Sequence, residues 1–305
     1  MPVRRIVGCP PDGNVGRVLT DGDVRALVGR RFPGGERTVE RWENWLLTDC
    51  TRRSTMPDGL LHPIVLFHVP VQGAGVSIGE LFAICGGDGS PGSVTLLGYD
   101  WEYLSPMHEG DRFTVTGGIT DVVRTRGDGD TVLHDDVTFS IELAHPTGER
   151  AARVTNRWRF RRSGTAPHAD APARGTGVPI PSLEVAHVGV DRMKTFAALL
   201  RDPYPIHWDP DAVRAAGQGE RPVNQGPLNL SYVANMLMAW AGEGSIRRLT
   251  VGFHGRVFDG DTVVAGGSSD ERVELDGEPC VRCTVWLDRG DERLVSGTAL
   301  VRRPG

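Results

Sequence analysis

The stretch Asp202-Pro203-Tyr204-Pro205-Ile206-His207 decides how the rest of the chain is read. A carboxylate and an imidazole stand five positions apart across two prolines. Pro203 and Pro205 have no backbone donor and push the residues before them out of helical geometry. The segment therefore reads as an extended, stiff loop whose two ends keep a fixed separation. Side chains held in this way can bind one water between them. The pairing suits general acid–base chemistry near neutral pH, where an unperturbed imidazole titrates.

Downstream, Gly226 to about Ala241 sets Leu228, Tyr232, Asn235, Met236, Ala239 and Trp240 at helical spacing. Val251 to Asp261 then reads as a strand and a Gly-Asp turn leading into Thr262-Val-Val-Ala. The same order occurs earlier: Tyr99 to Asp111 ends in a Gly-Asp turn and leads into alternating Phe113 and Val115. Gly110 and Gly260 lie 150 positions apart. Shifted back by that amount, Gly226 falls on Val76, and Val76 to Cys85 offers Ile78, Leu81, Phe82 and Cys85 at helical spacing. Matched offsets at two features predict an internal repeat.

After each turn, apolar residues alternate with period two. Val137, Phe139, Ile141 and Leu143 do so in one half, and Val281, Cys283, Val285 and Leu287 in the other. Each half therefore reads as one long helix followed by an antiparallel run of strands. A sheet with one apolar face needs something laid across it, which gives α+β layering. Between the halves, Arg161 to Ser182 is rich in Ala, Pro, Gly and Thr and has the composition of a linker. The expected organisation is a first domain over 1–160, a linker over 161–182 and a second domain over 183–305.

The 305 residues are 39% hydrophobic and 24% charged, with a net charge of −5, as in a globular chain without the basic excess that nucleic acid or an anionic membrane calls for. No run approaches the roughly 20 apolar residues of a membrane span. The most apolar stretch, Leu60 to Val71, is broken by His62, Pro63, His68 and Pro70. Met1 to Pro11 lacks the apolar core of a secretory leader. Five cysteines, an odd number, argue against a disulfide framework, so a reducing cytoplasm is the expected location. Cys280 and Cys283 form a CxxC, but inside a strand-like run with no second pair, so they read as core and not as zinc ligands. No metal site and no cofactor is expected.

The second half resembles the MaoC-like (R)-specific enoyl-CoA hydratase and dehydratase family. That family carries D-x-N-P-x-H, followed by H-G-P or H-G-M at the start of the central helix of a hotdog domain. Here Asp202 to His207 stands for the first motif and Asn224-Gln225-Gly226-Pro227 for the second. Asp202 and His207 match. Tyr204 stands in place of Asn, Arg201 in place of the usual preceding glycine, and Gln225 where His is common. The first half is similar to a degenerate N-terminal hotdog, mainly through Trp101 to Val115. Shifting Asp202–His207 back by the repeat lands on Arg52 to Pro57, which has neither Asp nor His. The resemblance implies a double hotdog, two antiparallel sheets each wrapped around a helix as a pseudo-dimer, with one catalytic half and one pocket-shaping half.

It further implies reversible addition of water to a 2-enoyl thioester of coenzyme A or an acyl carrier protein. Asp202 and His207 would transfer protons, and the amide of Gly226 at a helix N-terminus would face the thioester oxygen. Tyr204, Asn224 and Gln225 would contact substrate. Other readings of the same residues stay open: Asp202 pairing with Arg201 or capping a turn, His207 as a satisfied core histidine, Gly226 as a helix-entry glycine, and Gln225 bonded to a loop carbonyl. His62 and His68 read as structural. A hotdog thioesterase, marked by an acidic residue midway along the helix, and a repurposed acyl-binding or tailoring protein without turnover are the competing functions. A homodimer is an open arrangement.

Overall fold

The computed structural model describes residues 19–87, 93–163, 175–202, 204–215, 217 and 219–302. The expected leaderless terminus over 1–11, the middle of the linker and Pro203 lie outside the described residues.

The first half opens with α1 (Asp21–Leu27), β1 (Gly35–Thr38) and α2 (Arg41–Cys50). The helices α3 (Val65–Gly73) and α4 (Ile78–Ile84) follow, and then strands β2 (Val94–Tyr103), β3 (Arg112–Arg126), β4 (Val132–Ala144) and β5 (Arg150–Arg161). The second half repeats this order with β6 (Val178–Val185), α5 (Val190–Leu200), α6 (Pro210–Ala215), α7 (Gly226–Ala241), β7 (Ile246–Phe253), β8 (Val263–Leu275), β9 (Glu278–Arg289) and β10 (Glu292–Arg302). All strands join one ten-stranded antiparallel sheet in the order β1-β3-β4-β5-β2-β7-β10-β9-β8-β6.

The repeat offset reappears at the seam. In the β2–β7 pairing Gly98 faces Gly252, Asp100 faces Thr250 and Glu102 faces Arg248. Asp100 and Thr250 are 150 positions apart and hydrogen-bond, the threonine hydroxyl donating over 2.8 Å. A two-fold pseudo-symmetry therefore passes between sequence-equivalent residues. Strands at and beside the seam approach too closely for side chains at some positions: a Cβ on Gly98 would sit 2.5 Å from the Val251 carbonyl oxygen, and one on Gly297 of the neighbouring β10 2.0 Å from that of Thr250.

Helix α7 lies on the apolar face of its half, against β6 to β10. It carries no charged residue, and nearly every side chain is buried, as expected of a helix apolar all round. Its bounds, Gly226–Ala241, agree with the helical spacing. The first half departs from expectation. Its helix over Val76–Cys85 is present only as the seven-residue α4. The helix packed on β1, β3, β4 and β5 is α3, inside the stretch read as proline-broken. Pro70 removes one backbone donor, yet burial of Val65, Leu66, Phe67, Val69 and Val71 outweighs that loss. In each half a strand also precedes the helix that packs on the sheet, β1 (itself after the short α1) in the first and β6 in the second. β6 starts at Val178, inside the presumed linker; as an edge strand it tolerates Pro179 and Pro181.

The close contact at the seam sets a stability prediction. Gly98→Ala should lower the free energy of unfolding by about 1–3 kcal/mol, because the new methyl meets backbone that has no room to yield. Denaturant midpoints of the two proteins test this, and an unchanged midpoint refutes it.

Candidate active site

Asp202 is set by the end of α5. Arg201 adopts the left-handed conformation at φ 52°, and the Asp202 amide donates back to the Ala197 carbonyl over 2.9 Å. A glycine is the usual solution for such a helix end, and here an arginine takes it at the steric cost of its Cβ. The chain then turns instead of running extended. Pro205–His207 is a 3₁₀ turn, with the amides of Trp208 and Asp209 donating to the Pro205 carbonyl. Local sequence favoured an extended run, but the turn is held by contacts from elsewhere: the Val223 amide donates to the Ile206 carbonyl over 2.8 Å.

The turn points His207 at Asp202. His207 Nε2 lies 3.8 Å from Asp202 Oδ2, and both side chains are largely buried. His207 Nδ1 lies 2.6 Å from the Val223 carbonyl, an acceptor only, so Nδ1 carries the proton and donates. That fixes the tautomer of the neutral form, in which the lone pair on Nε2 faces the carboxylate. Asp202 Oδ1 accepts from the Tyr204 amide over 3.0 Å. Burial pushes the Asp202 carboxyl above the usual carboxylate range; the His207 ring and the Tyr204 amide pull it back only in part.

Helix α7 brings its N-terminus to the same place. The Asn229 amide uses the Gln225 carbonyl, and Pro227 has no N–H. The amides of Gly226 and Leu228 precede any intrahelical acceptor, so the helix offers free donors and the positive end of its dipole. A Cβ on Gly226 would lie 2.3 Å from Leu96 Cδ2, which shows how closely the first half approaches.

Asp202, Tyr204, His207, Asn224, Gln225 and Gly226 all line one cavity of about 180 Å³. Their parts in it differ. Asn224 donates from Nδ2 to Asn229 Oδ1 over 2.7 Å, and its amide holds the Val257 carbonyl. Gln225 donates from Nε2 to the Met193 carbonyl over 2.9 Å, tying α7 to α5, while its Oε1 is buried without a donor. Both side chains thus serve the frame of the site. Tyr204 lies between the rings of Phe82 and His207, 6.0 and 5.8 Å from their centroids.

The opposite wall belongs to the first half, which the resemblance casts as the pocket-shaping one, although no motif marks its residues. Leu96 and Tyr99 of β2, Phe82 of α4 and Trp158 of β5 face the cavity. The Tyr99 ring packs edge-on against Phe67 and Phe253 and stacks on Trp101. Burial and the charge of Asp202 push its phenol well above the ordinary value, which keeps it protonated. The alternation of Tyr99 and Trp101 in a strand was the available signal; which half's cavity Tyr99 enters depends on the seam. His62 and His68 stay outside. His62 Nδ1 accepts from the Ile64 amide and Nε2 lies 2.9 Å from Asn235 Oδ1, and burial lowers its pKa to about 4. His68 sits against Glu43 and Arg37. Cys283 is buried in β9, its thiol pushed up to about 12.

Comparison with known proteins agrees with the fold. Residues 172–287 match the model of the MaoC like domain. No curated protein matches the chain. Among solved structures, one described as a MaoC-like dehydratase superposes with a TM-score of 0.73 at 15% identity, covering 92% of this chain and 100% of that one. The peroxisomal multifunctional enzyme type 2 from Drosophila melanogaster gives 0.63 at 14% identity, over 89% of this chain and 48% of that one. A Mycobacterium tuberculosis protein described as having a double hotdog fold gives 0.56 at 13% identity, over 90% and 96%. At these identities the superpositions speak for the fold, and the domain match speaks for the second half. The chain has the double-hotdog fold, and its residues 172–287 match the MaoC like domain.

Proposed function

We propose that this protein is a hydro-lyase that adds water reversibly across the 2,3-double bond of an enoyl thioester, carried by coenzyme A or an acyl carrier protein. The observation that carries the reading is the His207–Asp202 pair: an imidazole locked with its lone pair toward a buried carboxylate, beside a free helix N-terminus.

In this reading a water sits between His207 Nε2 and Asp202. As its oxygen bonds to C3, the pair takes one proton from it, and the pair returns one proton to C2. Dehydration runs the same steps backward. Negative charge gathers on the thioester oxygen in between, and the Gly226 amide with the α7 dipole stabilises it. One well-placed donor of this kind is worth roughly 3–4 kcal/mol at the transition state. The thioesterase alternative lacks its acid: α7 carries no carboxylate, and Glu80 in α4 is engaged in capping that helix with Ser77.

The test is a panel of 2-enoyl and 3-hydroxyacyl thioesters followed by mass spectrometry. A mass change of one water supports the proposal. Release of free thiol makes the protein a thioesterase, and silence across both carriers leaves an acyl-binding protein.

Asp202→Asn and His207→Gln should each lower kcat/KM by about 10²–10⁴, the usual span for a general acid–base group. Stability should move the other way for Asp202→Asn. A carboxyl whose folded pKa is raised loses stability as pH rises through that value, so at neutral pH the native aspartate carries a penalty that asparagine avoids. The variant should have a higher Tm at pH 7 than wild type, with the difference shrinking on acidification. A lower Tm would make Asp202 a structural residue instead.

The active form needs an ionised Asp202 and a neutral His207. The acid limb of kcat/KM should therefore lie above the usual carboxylate range, as the raised Asp202 pKa requires, with the apparent value belonging to the pair. A pH–rate profile that stays flat down through that range would contradict the assignment.

A further inference from the structure

The halves differ most in their central helices. In the second half α7 runs unbroken for 16 residues. In the first half the run is cut into α3 and α4, with a bend of 64° between them. The cut is built into the sequence. Gly73 admits no side chain, since a Cβ there would lie 2.4 Å from Val115 Cγ2. Gly75 takes a left-handed φ of 70°. Ser77 then starts a new helix by a reciprocal cap: its hydroxyl accepts from the Glu80 amide over 3.2 Å, and the Glu80 carboxylate accepts from the Ser77 amide over 2.7 Å.

The bend carries α4 to the cavity that holds Asp202 and His207. Ile78 and Phe82, four residues apart on one helix face, both line it. The Phe82 ring meets Trp158 edge-on at 5.4 Å and Tyr204 at 6.0 Å, and Tyr204 in turn meets His207 at 5.8 Å. The cavity lining thus joins a polar set, the pair and the α7 terminus, to an apolar set from the other half that includes Ile78, Phe82 and Trp158.

We infer that α4 sets the length of the acyl chain this site takes, with Phe82 as its stop, which makes the substrates short-chain acyl thioesters. The inference rests on the acyl-thioester reading. With the thioester oxygen at Gly226 and C2 and C3 at the pair, the carbons beyond C3 run toward Ile78, Phe82 and Trp158. Burying a methylene gains less than forcing one into packed aromatic rings costs. Each carbon that reaches the stop therefore loses more than it gains, and a cavity of about 180 Å³ reaches that point early.

The experiment uses the full chain and two readouts. One is kcat/KM for 2-enoyl-CoA thioesters of four to twelve carbons. The other is calorimetric binding of the corresponding saturated acyl-CoA thioesters, which need no turnover. Wild type should favour the shortest chains and discriminate against the longest by about 10-fold or more. Phe82→Ala should move the optimum to longer chains in both readouts, with Phe82→Leu in between and Ile78→Ala moving it the same way. Phe82→Leu and Ile78→Ala keep the test open if Phe82→Ala does not fold. An unchanged order of chain lengths in the folded variants overturns the inference, as does an equal loss at every length, which would make Phe82 a mere support for Tyr204. A shifted binding order without hydration of any substrate sustains length selection and ends the hydratase reading. Hydration with an unshifted order does the reverse. Absence of binding at every length refutes both.

Discussion

The pairing of β2 with β7 is the constraint on which the rest depends. It joins two five-stranded sheets into one and closes each half's open edge, which would otherwise present unpaired backbone groups. Its register, centred on Asp100 and Thr250, sets Leu96 against the start of α7 and Tyr99 into the cavity of the other half. A slip of one residue would turn those side chains to the opposite face of the sheet. Charge fixes the register as well: Arg248 of β7 pairs with both Asp100 and Glu102 of β2. The glycines at the seam let the strands come close enough for this to happen.

On that frame the site is assembled from three structures that each leave a polar group exposed inside the protein. The end of α5 presents the Asp202 carboxylate, the 3₁₀ turn presents the His207 ring, and the start of α7 presents unused amides. None of these groups is fully paired within its own element, and burial makes each one costly. The Val223 carbonyl is the small contact that orders the set, because it fixes which imidazole nitrogen carries the proton. Strain is spent here too, at the left-handed Arg201. A cavity that concentrates unmet hydrogen-bonding capacity in this way is prepared for a polar ligand.

The asymmetry between the halves has the same origin as their likeness. Both place a helix on an apolar sheet face, but only the second keeps that helix whole. In the first half His62, just ahead of α3, is bonded to Asn235 of α7, and the Asn235 amide donates to the Thr51 carbonyl. The segment after Gly73 turns toward the site of the second half as α4. One half supplies the polar groups, the other the apolar wall.

The sequence by itself determined the elements whose cause is local or periodic. The strands follow from period-two alternation, α7 from a long apolar helical run, and the duplication from equal spacing of the Gly-Asp turns. Six of the second-half residues that meet in the cavity were legible because two short motifs hold them in two groups along the chain. Tertiary structure alone decided the rest. α3 forms despite Pro63 and Pro70 because burial outweighs propensity, which no local pattern records. The turn at Pro205 exists because Val223, sixteen residues beyond His207, holds it. Phe82 and Tyr99 enter the site across a seam that brings residues more than a hundred positions apart together, and Trp158 of β5 joins them. Pairing between strands depends on register and close approach in three dimensions, and a linear pattern carries neither.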